Sequence, residues 1–490
     1  MAAASAGCAG GSFDAPPGLT SGEGTIELKP AVVEASEEIR LRISWTAGPS
    51  GLLAGGGFSV RFPVAPGSPS PGFTPPHHRA RHVPGFVQCW ARRGELLTGE
   101  ADTVAISSDG GVEARCTLRS GALRPGDGLA LDYWGLAPRI AGRYDLGGAS
   151  RLWGARGAAP LPRPAALEVK GKPARVLSVL LPTSARPGET VSASLRVLDE
   201  FGNRAEGFDG AVELTLGAQS RLARFSPVDR GAAQVDGLVA PAEGVVRAEA
   251  VETGQMRDEY RLGAFSNPLR VLADAPRVQW GDLCFSSGMF DAEDVMPLGF
   301  AFAIEPLPGR LYKTYSSRTR SPEREEHLRF IEPDAGWLRA AGSPPAAFIA
   351  CSDNDWGRPG TIRVTGLEPG AGGLTAVLEE SDDRERILDA LERGRAWATT
   401  GARMILMARR DGSGIHLFAA GEKPLRGVTM VLLGERNRKE IPVDAAPAME
   451  IEVIVPVPRE ETAAALWFRA EQEDGQIAWS APMPLGGGRP

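Results

Sequence analysis

The chain has 490 residues, of which 61 are glycine and 40 proline, with 42% apolar and 23% charged residues. That length sets a prior of about three domains, and glycine plus proline at about a fifth of the chain excludes a coiled coil or a mostly helical bundle in favour of short strands joined by turns. Fifty-four basic against 61 acidic residues give a formal charge of −7, which argues against a general nucleic-acid binder, and no apolar run reaches the roughly 18 residues of a membrane span.

Residues 1–22 are small and Gly-rich and are expected to form a disordered tail. Ser5-Ala6-Gly7-Cys8 has the outline of a lipobox without the basic and apolar regions of a signal peptide. A cytoplasmic location is therefore expected, with a secreted or lipid-anchored form as the alternative. Five cysteines, Cys8, Cys89, Cys116, Cys284 and Cys351, are odd in number and widely spaced, so neither a disulfide framework nor a Cys-x-x-Cys metal pair is expected. Ile39, Leu41, Ile43 and Trp45 alternate with Glu38, Arg40, Arg42 and Ser44, the period of a strand with one buried face. Gly55-Gly56-Gly57 and a Pro-rich loop over 63–76 follow, and 23–155 reads as an N-terminal β domain. His77, His78 and His82 adjoin that loop and read as flexible surface rather than a metal site.

A Pro-rich linker then leads to a second β domain over 170–274. Val191, Ala193, Leu195 and Val197 alternate, as do Val212, Leu214 and Leu216, with turns at Pro187-Gly188 and Asp199-Glu200-Phe201-Gly202-Asn203. This spacing predicts an immunoglobulin-like sandwich. Residues 276–412 mix short apolar strands with helical patterns. Ser321-Pro322-Glu323 carries a helix-start signal, and the clearest helix is 383–393, where Ile387, Leu388 and Leu391 share a face and Gly394 supplies the stop. After Gly412 the alternation of Met449, Ile451, Val453 and Val455 predicts a C-terminal β module over 413–486. The fold class expected for the whole is α+β and multidomain.

Two turn-and-acid clusters follow apolar strands. One runs from Trp280-Gly281-Asp282-Leu283-Cys284 to Asp291, the other from Phe348 through Ser352-Asp353-Asn354-Asp355 to Gly360. Asp353 and Asp355 are two apart, so on extended chain both carboxylates face one side and suit a hard cation. An Asx-turn cluster is the plainer reading of the same residues.

Four blocks make the C-terminal half resemble a family of uncharacterised, mostly bacterial proteins linked to the polymerase-and-histidinol-phosphatase (PHP) metal-dependent phosphoesterases. They are Trp280-Gly281-Asp282-Leu283; Ser352-Asp353-Asn354 with Gly357-Arg358-Pro359-Gly360; Gly372-Gly373-Leu374 leading to Trp397-Ala398-Thr399-Thr400-Gly401 and Arg403; and the pair Phe468–Gly475 and Ala478–Pro482. The resemblance implies a PHP-like α/β domain over 276–412, where the family uses metal-bound hydroxide held by histidines and carboxylates. Matched by position, the opening His-x-His pair is Cys284 and Ser286, Asp353 is kept, Asp355 stands in a histidine's place, and Asp291 matches an acid. The region also falls well short of the roughly 250 residues of a closed barrel. Cys284, Asp291, Asp353 and Asp355 are thus vestigial metal ligands, and no catalytic residue is assigned. Asp282, Arg358, Thr400 and Arg403 are expected to be structural, with an arginine tying loops through backbone carbonyls or Asp282. Phe285 or Trp356 is expected to fill the old site. The reading is a pseudoenzyme with a binding or structural role. The alternative is a metal-dependent phosphoesterase with a rebuilt site. No cofactor is expected beyond a weakly held divalent cation (Mg²⁺, Mn²⁺ or Zn²⁺); the partner is unknown, with a protein as the candidate, and neither a nucleic-acid partner nor a membrane span is expected.

Overall fold

The computed structural model describes residues 22–62, 72–99, 101–108, 111–152, 157–254, 261–282, 302–303, 347–348, 350, 373–380, 384–412, 414–434, 436–458 and 463–485. The chain divides into two compact units, Met1–Lys172 and Pro173–Pro490.

In the first unit, strand Glu38–Thr46 buries Ile39, Leu41, Ile43 and Trp45 and leaves Glu38, Arg40 and Arg42 exposed, as its alternation requires. It lies between Thr25–Lys29 and Gly128–Leu136 in a five-stranded sheet that continues through Phe86–Arg93 and Leu96–Thr98. A seven-stranded sheet runs Val32–Glu34, Ala165–Lys170, Gly142–Arg151, Gly57–Phe62, Gly111–Leu118 and Ala101–Ser108, with Ala159–Pro160 paired to Gly142–Arg151. Phe73, within the Pro-rich stretch, is fully buried. Its ring stands edge-on to Phe62 at 5.4 Å and to Tyr144 at 5.8 Å. The Tyr133 hydroxyl donates to the Thr74 carbonyl at 3.0 Å, and burial pushes that phenol's pKa up. The histidine segment is likewise tied down: the His77 amide donates to the Gly85 carbonyl at 2.7 Å, and His78 Nδ1 accepts from the Ala105 amide at 3.2 Å. The segment lies at the surface, with His82 exposed and His77 and His78 half-buried. A correction concerns the cysteines. Cys89 and Cys116, 27 residues apart, form a disulfide. Nothing in their spacing announces it, because the two strands that carry them meet only when the sheets stack.

The second unit begins with an immunoglobulin-like β-sandwich. Val176–Leu180, Thr190–Leu198 and Ala232–Val239 form one sheet, and Gln219–Phe225, Gly210–Leu216, Ala248–Thr253 and Gly263–Phe265 another. Leu195, Val197, Val212, Leu214 and Leu238 share its core. The turn after Thr190–Leu198 is built on buried Asp199. Its Oδ1 accepts the Phe201 and Asn203 amides, each at 2.8 Å, and its Oδ2 accepts Asn203 Nδ2 at 2.8 Å. This is the Asx chemistry that the Asp-x-x-Gly-Asn run requires.

The α+β expectation is overturned beyond this point. Among the described residues there is one α-helix, Arg384–Glu392, and one 3-10 turn, Pro227–Asp229; all other regular elements are strands. The helix lies where its periodicity placed it and buries Ile387, Ala390 and Leu391. Around it, Val278–Asp282, Leu374–Leu378 and Ala396–Thr399 pair antiparallel, and the sheet continues through Ile477–Ser480 and Ala463–Gln472 to the long strand Gly414–Gly434 and then Ile405–Asp411. A PHP-like α/β domain needs parallel strands alternating with helices; these neighbours run antiparallel within one sheet of eleven strands. The misreading has a physical cause. Ala396–Thr399 is buried on both faces, so its sequence lacks the period of two that marks a half-buried strand. The long strand changes partners midway. Residues 414–420 pair with Ile405–Asp411 and Ala448–Pro456, and residues from 425 onward pair with Ala463–Gln472. Gly421 sits at the change, where a Cβ would lie 2.3 Å from the Lys423 carbonyl oxygen. Among the described residues no helix is long and apolar enough to cross a membrane.

The sandwich and this sheet share a polar joint within the second unit. Arg270 lies 3.5 Å from the Phe418 ring centroid and reaches Glu452 at 3.3 Å. Arg247 donates to the carbonyls of Gly421 and Met449. Trp280 Nε1 donates to Thr183 Oγ1 at 2.6 Å.

Candidate functional site at one end of the C-terminal sheet

Strand register decides which of the singled-out residues meet. Gly281 is opposite Thr375, and Leu374 is opposite Thr399, so the ends of Val278–Asp282 and Ala396–Thr399 arrive together. Asp282 pairs through its backbone with Ala303. Trp280 packs edge-on against Trp397, ring centroids 5.8 Å apart, and Trp397 Nε1 donates to the Met404 carbonyl at 2.8 Å. That bond folds the turn after Ala396–Thr399 back over the sheet and sets Arg403 with its guanidinium 5.5 Å from the Trp280 ring centroid.

Arg403 is 6% exposed. Burial pushes its pKa down to about 10, against the opposing attraction of Glu422. The guanidinium still keeps its proton at ordinary pH. The Arg403 amide donates to Glu422 Oε1 at 2.8 Å. Thr400 is held on both sides: its hydroxyl donates to Gln476 Oε1 at 2.7 Å and accepts the Ile477 amide at 2.9 Å. Gln476 Oε1 also accepts the Ala402 amide at 3.3 Å. Nearby, buried Gln472 accepts the Lys423 amide at 3.1 Å. The Asp474 carboxyl loses solvation by burial, yet the Lys423 ammonium at 3.1 Å, the Gln476 amide and the Gln472 side chain together outweigh that and hold its pKa below the usual range.

The opposite face of the same strands receives the second acid cluster's lead-in. Thr375 Oγ1 accepts the Ala350 amide and donates to the Ala350 carbonyl, both at 2.9 Å. Phe348 stands edge-on to Trp467 at 5.3 Å. Ala350 packs with Ala398, whereas Leu374 and Ala376 pack with Trp280. Alternation on a strand explains the split.

Of the residues marked from the sequence, Thr400 and Arg403 come together, on one turn. For Asp282 only the backbone position is described. Cys284, Asp291, Asp353, Asp355 and Arg358, with Phe285 and Trp356, lie outside the described residues. Among the described residues no three His, Cys, Asp or Glu side chains are grouped to hold a metal. The residues that sequence reasoning missed are Glu422 and Gln476. Their types usually face solvent, and only Gln476, placed between the two halves of the Phe468–Pro482 block, carried a hint.

A cleft of about 650 Å³ beside the helix is lined by Arg277, Glu379, Arg386, Asp389, Arg393 and Arg395 among others. Its four arginines are balanced by four carboxylates, Glu379, Glu380 and Asp389 in the lining and Glu189 beside it. Buried Glu379 holds Arg386 at 3.1 Å and Arg395 at 3.2 Å, Asp389 holds Arg393 at 2.9 Å, and Glu189 holds Arg277 at 2.5 Å. The arginines therefore present no uncompensated field to an anion.

Residues 342–409 match a family described as a protein of unknown function (DUF3604). The match takes in the Ser352–Gly360 and Trp397–Arg403 blocks, but not Trp280-Gly281-Asp282-Leu283 or the Phe468–Pro482 pair. No curated protein matches the chain. Among solved structures, InvD of Yersinia pseudotuberculosis is 9% identical with a TM-score of 0.22, covering 96% of this chain and 100% of that one. The FN1-FN3 domains of chicken CNTN1 are 7% identical with a TM-score of 0.21, covering 94% and 95%. The D0-D1 domain of Intimin is 10% identical with a TM-score of 0.16, covering 51% and 97%. Similarities this distant carry no argument. The PHP resemblance is overturned: the family that matches has no stated function, and the described residues of 276–412 build a mainly antiparallel sheet, with one parallel pairing and one helix, in place of an α/β domain.

Proposed function

We propose that the chain is a non-catalytic protein with a binding or structural role, whose Trp-Gly-Asp and Trp-Ala-Thr-Thr-Gly-Ala-Arg segments serve as a joint between the sheet and the immunoglobulin-like sandwich. The observation that carries this is the Arg403–Trp280–Thr183 stack. The guanidinium lies buried on the indole, and the indole N–H is bonded to the sandwich. Arg403 is enclosed where the sheet meets the sandwich, 6% exposed. Thr400 is committed in the same way, its hydroxyl both donating and accepting within the fold. The expected partner is a protein, since a net charge of −7 disfavours the polyanionic backbone of nucleic acid.

The test is turnover on generic aryl phosphates with added Mn²⁺, Zn²⁺ or Mg²⁺. No rate above background is expected, and Asp353→Asn should leave that result unchanged. Metal-dependent hydrolysis that disappears in Asp353→Asn would overturn the proposal.

A further inference from the structure

We infer that the first unit matures in an oxidising compartment outside the reducing cytoplasm, where Cys89 and Cys116 are joined across the two sheets of its sandwich. Cys89 lies on Phe86–Arg93 of the five-stranded sheet and Cys116 on Gly111–Leu118 of the seven-stranded sheet. Both are buried, and their Cα atoms are 5.7 Å apart, within the span a disulfide bridges. The position of each is set independently. Cys89 is opposite Leu131 in its sheet, while Cys116 is paired on one side with Phe58 and on the other with Thr103. The Cys89 amide also donates to Thr103 Oγ1 at 2.8 Å, which fixes its strand against the facing sheet. Gly57 adds a steric condition, since a Cβ there would lie 1.9 Å from the Cys116 carbonyl oxygen. Glycine is what lets the backbone approach that closely.

A single buried cysteine is only a small apolar residue. Two buried cysteines that face each other from stacked sheets form a bond wherever an oxidant is present, and such bonds persist in secreted or periplasmic settings and are rare in the cytosol. In forming it, the two thiols give up two protons and two electrons to the disulfide of a thiol oxidoreductase, which leaves as a dithiol. This inference takes the secreted or lipid-anchored alternative over the cytoplasmic expectation and is independent of the proposed function, which rests on the other unit.

The test is to acid-quench cells that make the full chain naturally, alkylate under denaturing conditions without reductant, and map the peptides. Cys89 and Cys116 are expected in one linked peptide, each becoming alkylated only after reduction. Both carrying the alkyl group before reduction would overturn the inference. As a second readout, Cys89→Ala combined with Cys116→Ala should lower the first unit's Tm by roughly 5–15 °C. An unchanged Tm would count equally against it.

Discussion

Trp397→Ala is expected to cost about 3–5 kcal/mol of unfolding free energy, the range for deleting a fully buried large aromatic. Trp397 is 1% exposed and lies in the core shared by Leu374, Met404, Leu466 and Phe468. Three losses combine. The cavity is large, the edge contact with Trp280 at 5.8 Å disappears, and the Met404 carbonyl loses the indole N–H that held it at 2.8 Å. Trp397→Phe separates them: the ring contact survives and the donor does not, so about 1–3 kcal/mol is expected. Urea titration of the two variants measures both. Near-equal small losses would mean that the turn after Ala396–Thr399 is held by something other than this indole.

Arg403→Ala is expected to cost about 2–4 kcal/mol, from a cavity over Trp280 and from the loss of one of the cations that attract Glu422, Arg247 being another. Arg403→Met should cost less, because it refills the space without burying a charge. Adding Glu422→Gln to Arg403→Met should recover part of that loss, and the coupling in the double-mutant cycle is expected at about 0.5–3 kcal/mol. The pH behaviour follows from the sign of the shift. The folded state holds the Arg403 proton less tightly than the unfolded chain, so any pH dependence from this group is a gain in stability as pH rises past about 10. Between pH 5 and 9 the difference between wild type and Arg403→Met should therefore be flat. A difference that grows or shrinks across that range would show that another titrating group is involved.

Local pattern made part of this molecule legible. The alternation in Glu38–Thr46, the Asp199 turn and the helix at Arg384–Glu392 each follow from residues near in sequence, and the structure builds all three. What depended on distant pairing was hidden. Cys89 meets Cys116 only through stacked sheets, and the Trp280–Arg403 stack needs Val278–Asp282 brought beside Ala396–Thr399 by way of Leu374–Leu378. The antiparallel order of those strands is likewise invisible in four-residue apolar runs, which is how an all-strand sheet came to be read as an α/β domain. Thr400 and Arg403 could be marked because they sit in a compact motif. Their partners Glu422 and Gln476 could not, since nothing local separates a glutamate or glutamine that closes a turn from one that faces water.

In the proposed function, this end of the C-terminal sheet serves architecture rather than metal chemistry. Elemental analysis of the purified full chain, after incubation with Mn²⁺, Zn²⁺ and Mg²⁺ and extensive dialysis, tests it most directly. Clearly substoichiometric metal is expected, the same in wild type and Asp353→Asn. One or more equivalents per chain, retained through dialysis and lost in Asp353→Asn, would contradict it.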